Sequence, residues 1–368
     1  MTWEPERLDD QHHLTEGDPG GMLVAVAASA AQVRIAYRAA VEAGVDRLIS
    51  RVRPRAIVVL GMGGSAIAGD VLAAVCGNGA PMPIMTLRSH QLPGWVGATD
   101  LVIAVSCSGR TEETLSAAME AVRRGCSLLA VGSADSPLEA IARQASAVYV
   151  AVPATGQARA NLWLLTIPLI VSAASLGLVK ADEELYERVA GTMEDMAHRC
   201  RPSSESFVNP GKALAMELAE SVPMIWGSSS VAAVAGYRLA CQLNTNAKYP
   251  AIYGELPETG HNQVAAFDGP MAERDIFADA ASRTLRLVML RDVEEDPRVS
   301  RRREATVRLA NDRDVPVTEL SAEGTHPLER IASLIGLGDY AATYLALGYG
   351  VDPTPVPAIT ELKARISQ

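Results

Sequence analysis

Three hydroxyl side chains lie within one short segment of the chain, which reads SCSGRT. Ser106, Ser108 and Thr111 surround Gly109, after an apolar run and before a stretch with helical periodicity. Hydroxyl groups beside the open N–H groups of a helix N-terminus form a compact site for one phosphate group, and this site needs no lysine. A helix cap, the structural alternative, needs one such residue rather than three. The spacing therefore favours phosphate binding.

A glycine-rich loop with the sequence GMGGSA precedes that segment, at residues 61–66. Its glycines let the backbone approach an anion closely, although tight strand-to-helix turns also use glycine. The loop satisfies a relaxed G-x-G-x-x-A dinucleotide fingerprint, which requires an acidic residue about 20 positions later. The end of the next strand offers Leu87, Arg88 and Ser89 instead. An NAD site is therefore unsupported, and the hydroxyl-rich loop disfavours an NADP-dependent reductase.

Both loops belong to a chain that alternates short apolar runs with helical stretches from about residue 55 onward. Continuous apolar runs suit strands buried on both faces, and their alternation with helices implies a mostly parallel sheet. A helix is predicted over 111–125, because Glu112 and Glu113 lie near the positive end of its dipole. The predicted strands of this half are 56–63, 83–89, 101–108, 127–133 and 147–153.

The same pattern begins again in the second half. Both halves open with a strand, a small-residue turn and a helix, at 56–76 and at 222–245. The sequence predicts an α/β fold with two similar domains, each a mostly parallel sheet flanked by helices on both faces. We assign an N-terminal domain with the phosphate-binding loops to residues 1–180 and a C-terminal domain to residues 181–368. The anion site is expected in the first domain only.

Composition and charge exclude several classes of function. Lys and Arg total 33 against 43 Asp and Glu, which gives a net charge of −10 and argues against binding to nucleic acid or an anionic membrane. Five dispersed cysteines without a C-x-x-C pair form neither a disulfide framework nor a zinc site. The apolar run 162–178 is just short of a membrane span and predicts a buried helix. A soluble, cytoplasmic protein is expected.

Five motifs, in chain order, resemble those of one known family. They read GMGGSAIAGD, SCSGRTEETL, QARANLWLL, NTNAKYPAIYGELPETGHNQVAAF and DPTPVPAITELK. The first two are typical of the sugar-isomerase (SIS) domain. The other three resemble the bifunctional phosphoglucose/phosphomannose isomerase family, which has two such domains. The resemblance covers nearly the whole chain and implies a homodimer with shared active sites.

The resemblance also implies which residues bind and convert a sugar phosphate. By this resemblance, Ser106, Ser108 and Thr111 bind the phosphate group, and the loop of Gly63, Gly64 and Ser65 lines the sugar. Lys363 helps to position the substrate. Arg159 resembles the arginine that orients a catalytic water and stabilises the enediolate. His261 resembles the histidine that helps to open the sugar ring, which the neighbouring subunit supplies in the family. No metal and no cofactor are implied.

Two of these residues also have the chemistry that isomerisation requires. Aldose–ketose exchange needs an acid/base pair for ring opening, a base for the C2 proton and a donor for the developing oxyanion. His261 lies between Gly260 and Asn262 in an irregular segment, which favours a functional role over a packing role. Arg159 could supply the donor, with a solvated surface arginine as the alternative.

One position departs from the family pattern. Thr245 in NTNAK stands where the family has a glutamate, the expected general base for proton transfer between C1 and C2. A threonine hydroxyl does not titrate near neutral pH and offers no carboxylate. Glu255 and Glu258 are the alternative bases near in sequence.

Two functions therefore stay open from the sequence. The first is a phosphosugar isomerase that interconverts glucose 6-phosphate or mannose 6-phosphate with fructose 6-phosphate. The second is a catalytically silent sensor or regulatory protein that binds a phosphosugar, because the family's general base is missing. Whether the chain is an enzyme depends on which group replaces that base.

Overall fold

The computed structural model describes residues 2–46, 53–153, 156–272 and 284–366. By compactness the chain forms two units: the first unit is Ala27–Glu194, and the second unit combines Met1–Val26 with Asp195–Gln368. The domain limits 1–180 and 181–368 that we assign from the sequence stay a prediction, and they differ from the limits of these two units. In chain order the α-helices are α1 (Gln11–Gly17), α2 (Met22–Ala27), α3 (Ser29–Glu42), α4 (Gly64–Cys76), α5 (Glu112–Arg123), α6 (Pro137–Gln144), α7 (Leu162–Ser175), α8 (Glu183–Arg199), α9 (Pro210–Leu218), α10 (Ser230–Gln242), α11 (Pro297–Asn311), α12 (Pro327–Gly348) and α13 (Pro357–Ile366).

A parallel sheet forms the centre of the first unit. Its strands are β1 (Ile57–Leu60), β2 (Ile84–Leu87), β3 (Leu101–Ser106), β4 (Ser127–Gly132) and β5 (Val148–Ala151), in the order β2-β1-β3-β4-β5. Ile57 pairs with Ile84 on one side and with Leu101 on the other. Every residue of β1 and β3 is buried, because helices cover both faces of a parallel sheet. The predicted α/β fold is confirmed.

The apolar segment after this sheet forms a core helix. Residues 162–173 of α7 are all buried, with Pro168 inside the helix. The helix contacts α3 and α4 within the first unit. This confirms the buried helix predicted for the longest apolar run of the sequence.

The second unit has its own parallel sheet. Its strands are β6 (Ser221–Gly227), β7 (Ile252–Glu255), β8 (Thr284–Arg291) and β9 (Val317–Ser321), in the order β7-β6-β8-β9. Met224 pairs with Ile252 on one side and with Leu287 on the other. This order repeats that of the first four strands of the other sheet, which agrees with the two similar domains that the sequence predicts. Sequence reasoning missed β7.

Helix α12 is the central helix of the second unit. Within the described ranges it alone is long and apolar enough to cross a membrane by length and composition, and 89% of its most apolar window is buried inside the protein. Arg238 of α10 forms a buried bidentate ion pair with Asp339 of α12, in which Nη2 lies 2.8 Å from Oδ2. Its partners and burial identify α12 as a core helix.

Candidate functional site

The topology of the first sheet creates a crevice between β1 and β3. The chain leaves β1 toward β2 on one side, and then crosses to β3 on the other side, so the loops after β1 and β3 diverge. Ligands of open α/β sheets bind at such a switch point, outside the carboxyl ends of the strands. Both glycine- and hydroxyl-rich loops of the sequence lie at this point.

The loop after β1 leads directly into α4 without a side-chain cap. Gly63 is the N-cap residue, with φ of +54°, and it has no side chain to accept a hydrogen bond from the first turn. A Cβ atom on Gly61 would lie 2.8 Å from the carbonyl carbon of Ser65, so the turn closes tightly on the helix. Ser65 is buried in the first turn. The loop therefore presents backbone rather than side chains to the crevice.

The loop after β3 brings two of the three predicted hydroxyls together. The Oγ of Ser106 and the Oγ1 of Thr111 lie 2.9 Å apart. Thr111 is the N-cap residue of α5, yet its hydroxyl makes no cap hydrogen bond. The hydroxyl contacts Ser106 and leaves the N-terminus of α5 without a side-chain acceptor. This arrangement suits an incoming oxyanion.

Gly109 and its contacts hold that loop in place. Gly109 has φ of +62°, and a Cβ atom there would lie 2.2 Å from the Oγ of Ser136. Its carbonyl accepts a hydrogen bond from the N–H of Leu138 at 3.1 Å, in the first turn of α6. Ser108 is exposed, and its Oγ accepts from the N–H of Arg110 at 3.3 Å. The third hydroxyl therefore lies at the outer rim of the loop.

The segment that carries Arg159 lies against the same loop. Asn161 Nδ2 donates to the Sγ of Cys107 at 3.7 Å, and burial raises the pKa of this thiol. On the other side, Gln32 Nε2 donates to the carbonyl of Ala160 at 2.9 Å. The structure thus brings the half-buried Arg159 to the neighbourhood of the hydroxyl loop. Sequence reasoning missed Asn161 and Gln32 as site residues, although Asn161 lies in the same QARANLWLL motif as Arg159.

Thr245 lies in the second unit, within a π-helical turn. The turn spans Leu243–Ala247 and continues α10, and such turns are frequent at functional sites. The Oγ1 of Thr245 donates to the carbonyl of Cys241 at 2.8 Å, one turn earlier. The hydroxyl is thereby committed to the backbone of its own helix. Nothing at this position replaces a carboxylate.

His261 ends a short 3-10 turn that follows the carboxyl end of β7. The turn spans Glu258–His261, and residues three apart in such a helix lie on one side of it, so a carboxylate and an imidazole share a face. Both side chains are exposed, and Glu258 Oε1 accepts from Asn262 Nδ2 at 2.9 Å.

Gln263 connects the His261 turn to the sheet of the second unit. Its Oε1 accepts from Trp226 Nε1 at 2.7 Å, and its Nε2 donates to the carbonyl of Tyr253 at 2.9 Å. The turn is therefore attached to both β6 and β7. Sequence reasoning missed Gln263, although it is two residues from His261.

Lys363 lies on α13, the exposed helix near the end of the chain. None of the residues of this helix is buried. At the start of the same DPTPVPAITELK motif, the carbonyl of Asp352 accepts from the Nζ of Lys248 at 2.7 Å. Of the ten predicted site residues, the first unit thus holds Gly63, Gly64, Ser65, Ser106, Ser108, Thr111 and Arg159, and the second unit holds Thr245, His261 and Lys363.

The second sheet has its own switch point, between β6 and β8, with different chemistry. Ser228 and Ser229 follow β6, and the acidic segment DVEED follows β8. The Oγ of Ser229 donates to Asp292 Oδ2 at 3.0 Å, and the Oγ of Ser228 donates to Glu295. Carboxylates of the chain itself therefore occupy the position that an external anion would take.

Two arginines neutralise those carboxylates. Arg330 Nε lies 2.8 Å from Asp292 Oδ1, and Arg303 Nε lies 3.0 Å from Glu295 Oε2. All four side chains are at most 7% exposed. The second crevice is thus filled with paired internal charges. Neither here nor elsewhere in the described parts of the chain is a group of three or more His, Cys, Asp and Glu side chains arranged to hold a metal ion.

Comparison with known proteins agrees with this architecture. Residues 207–366 match the family model described as "Bacterial phospho-glucose isomerase C-terminal SIS domain". A bifunctional phosphoglucose/phosphomannose isomerase of Caldicellulosiruptor bescii is 32% identical over 312 residues, which cover 85% of this chain and 89% of that protein. A protein of the same name from Thermoplasma acidophilum is 30% identical over 84% of this chain and 89% of its own length.

The fold is also similar to that of solved structures. A hypothetical protein from Thermus thermophilus superposes with a TM-score of 0.70 and 17% sequence identity, over 99% of this chain and 94% of that one. This likeness concerns the fold alone. The identity and coverage of the sequence relatives go further: the chain belongs to the bifunctional phosphoglucose/phosphomannose isomerase family.

Proposed function

We propose that this protein is a phosphosugar isomerase that interconverts glucose 6-phosphate or mannose 6-phosphate with fructose 6-phosphate. The observation that carries the proposal is the pair of loops at the β1/β3 switch point, in a chain that belongs to this family. One loop presents bare backbone and the other presents the Ser106–Thr111 hydroxyl pair beside the uncapped N-terminus of α5.

The phosphate group binds to this hydroxyl cradle. Ser106 and Thr111 supply hydroxyl groups, Ser108 supplies a third from the rim, and the N-terminus of α5 supplies backbone N–H groups. The sugar lies along Gly63, Gly64 and Ser65. Because these donors need no formal charge, a chain with a net charge of −10 can hold a dianion.

Isomerisation then requires a series of proton transfers and no external oxidant. In ring opening, His261 helps to move the proton of the O1 hydroxyl to O5 as the C1–O5 bond breaks. A base removes the C2 proton to give an enediolate, whose negative oxygen the Arg159 guanidinium stabilises. Return of a proton to C1, with transfer of the O2 proton to O1, gives the ketose. Lys363 positions the substrate.

A silent phosphosugar-binding protein is the second candidate, and Thr245 is the observation that favours it. Its hydroxyl donates to the carbonyl of Cys241, and it has no carboxylate to take the C2 proton. Loss of a general base typically lowers the rate by about 10²–10⁴-fold. Turnover at a useful rate therefore requires another carboxylate, with Glu258 on the same face as His261 and Glu255 at the end of β7 as the alternatives.

We also propose a cytoplasmic homodimer with active sites that both subunits share. This assembly follows from family membership. Light scattering after size-exclusion chromatography tests it, since a monomer at micromolar concentration contradicts it.

Coupled assays with the three hexose 6-phosphates, run beside calorimetric titrations, test the function. Turnover establishes the isomerase. Binding without turnover establishes the silent phosphosugar-binding protein. Absence of both refutes the phosphosugar proposal, and Ser106→Ala serves as the control that should weaken binding in the first two cases.

A further inference from the structure

Among the described residues of the second unit, every buried or half-buried arginine except one forms an ion pair with a carboxylate. Buried arginines pair with carboxylates: Arg238 with Asp339, Arg303 with Glu295, and Arg330 with Asp292. Arg302 is half-buried on α11, and its guanidinium donates no hydrogen bond to any described residue and forms no ion pair with one. A cation withdrawn from water without a counter-charge destabilises the fold.

Arg302 lies against the turn that carries His261. A Cβ atom on Gly260 would lie 3.0 Å from Arg302 Nη1 and 3.4 Å from its Cδ, so the side chain runs across the face that glycine leaves open. Gly260 directly precedes His261 in the turn. The one carboxylate of that turn, on Glu258, accepts a hydrogen bond from Asn262 instead. The guanidinium thus lies against the turn that carries Glu258 and His261, and it forms no ion pair with that carboxylate.

We propose that Arg302 binds an anionic oxygen at the reacting carbons of the sugar, away from its phosphate group. The inference rests on the proposed function, because it needs a phosphosugar bound beside His261. When a hydroxyl of C1 or C2 loses its proton, the oxygen becomes negative, and a guanidinium already fixed in place stabilises it without reorganisation. The missing counter-charge of Arg302 is then supplied by the ligand during the reaction.

A pair of matched ligands tests this. 6-Phosphogluconate has a carboxylate at C1, whereas glucitol 6-phosphate has a neutral hydroxyl there, and both keep the phosphate group. Calorimetry should show that Arg302→Gln lowers the affinity for 6-phosphogluconate by about tenfold or more, because the variant loses a hydrogen bond between two charged groups. Glucitol 6-phosphate should bind as before.

Variants of neighbouring residues supply the controls. Arg301 is exposed one position earlier on α11, so Arg301→Gln should bind both ligands like the unaltered protein. Arg302→Lys keeps the charge and should recover part of the lost affinity for 6-phosphogluconate.

The outcomes separate the two proposals. If the unaltered protein binds neither ligand, the proposed function fails. If it binds both and Arg302→Gln changes neither affinity, or lowers both equally, the role of Arg302 is refuted while the phosphosugar site stands. These binding measurements do not require turnover, so they apply to an active enzyme and to a silent binding protein.

Discussion

Substitution of Gly109 by alanine tests how the phosphate loop is held. The residue has φ of +62°, where a side chain costs about 1–2 kcal/mol. The new Cβ would lie 2.2 Å from the Oγ of Ser136 and 2.3 Å from its Cβ, so Ser136 must move. Ser136 Oγ caps α6 by accepting from the N–H of Glu139, and loss of a cap costs about 1 kcal/mol.

Urea unfolding of Gly109→Ala should therefore show a loss of about 2–3 kcal/mol. Gly177→Ala is the matched control, because Gly177 has φ of +74° and a Cβ there meets nothing within 4 Å. This control should lose only the backbone contribution of about 1–2 kcal/mol. Displacement of the loop should also lower the affinity for fructose 6-phosphate by about tenfold in calorimetry, which corresponds to about 1.4 kcal/mol. Gly177→Ala should bind fructose 6-phosphate like the unaltered protein.

The contact with Ser136 can be isolated with a second substitution. Ser136→Gly removes the two atoms that clash with the new methyl group and leaves only an ordinary contact with Ser133 Oγ at 3.5 Å, so Gly109→Ala in that background should cost only the backbone contribution. Equal losses for Gly109→Ala in both backgrounds, or equal effects of Gly109→Ala and Gly177→Ala on ligand binding, would refute this account of the loop.

Three further substitutions probe the rest of the molecule. Thr245→Glu should raise isomerase turnover about 10²-fold or more in coupled assays if only the carboxylate is missing; a fall means that another base is in use. Glu295→Gln removes the nearest counter-charge of the buried Arg303 and leaves it the more distant Glu319 at 3.5 Å, which should cost up to about 3 kcal/mol in urea unfolding. Phosphate should stabilise this variant more than the unaltered protein. The N–H of Leu92 and the Arg124 guanidinium hold the pKa of Glu120 below its usual range. A carboxyl whose pKa is lowered by folding adds stability above its unfolded pKa, so the advantage over Glu120→Gln should vanish in unfolding experiments as the pH falls through the folded pKa.

Local patterns in the sequence predict the first unit well. β1 and β3 are continuous apolar runs because both faces of a parallel sheet are covered, and the glycine and hydroxyl residues of the loops follow them directly. The start of α5 is also local, since Glu112 and Glu113 lie in its first turn. Where the residues that determine a strand, a loop or a helix start lie within that same segment, the sequence is sufficient to predict it.

Contacts between distant segments could not be predicted in the same way. Asn161 donates a hydrogen bond to Cys107, which is 54 positions away in the sequence. Gln32 donates to the carbonyl of Ala160, and no pattern in the sequence before residue 55 predicts this contact. The position of Arg302 over Gly260 likewise depends on how α11 packs, not on either motif. Such residues are found only when the fold brings the segments together.

The filled crevice of the second unit has a consequence for how each unit responds to its surroundings. An external anion stabilises a protein in proportion to the logarithm of its concentration once this exceeds the dissociation constant. The carboxylates of Asp292 and Glu295 are covalently part of the chain, so they cannot dissociate or be diluted. The ion pairs that fill the crevice of the second unit are therefore the same whether the cell is rich or poor in phosphosugars, whereas the proposed phosphate site of the first unit is filled in proportion to their supply.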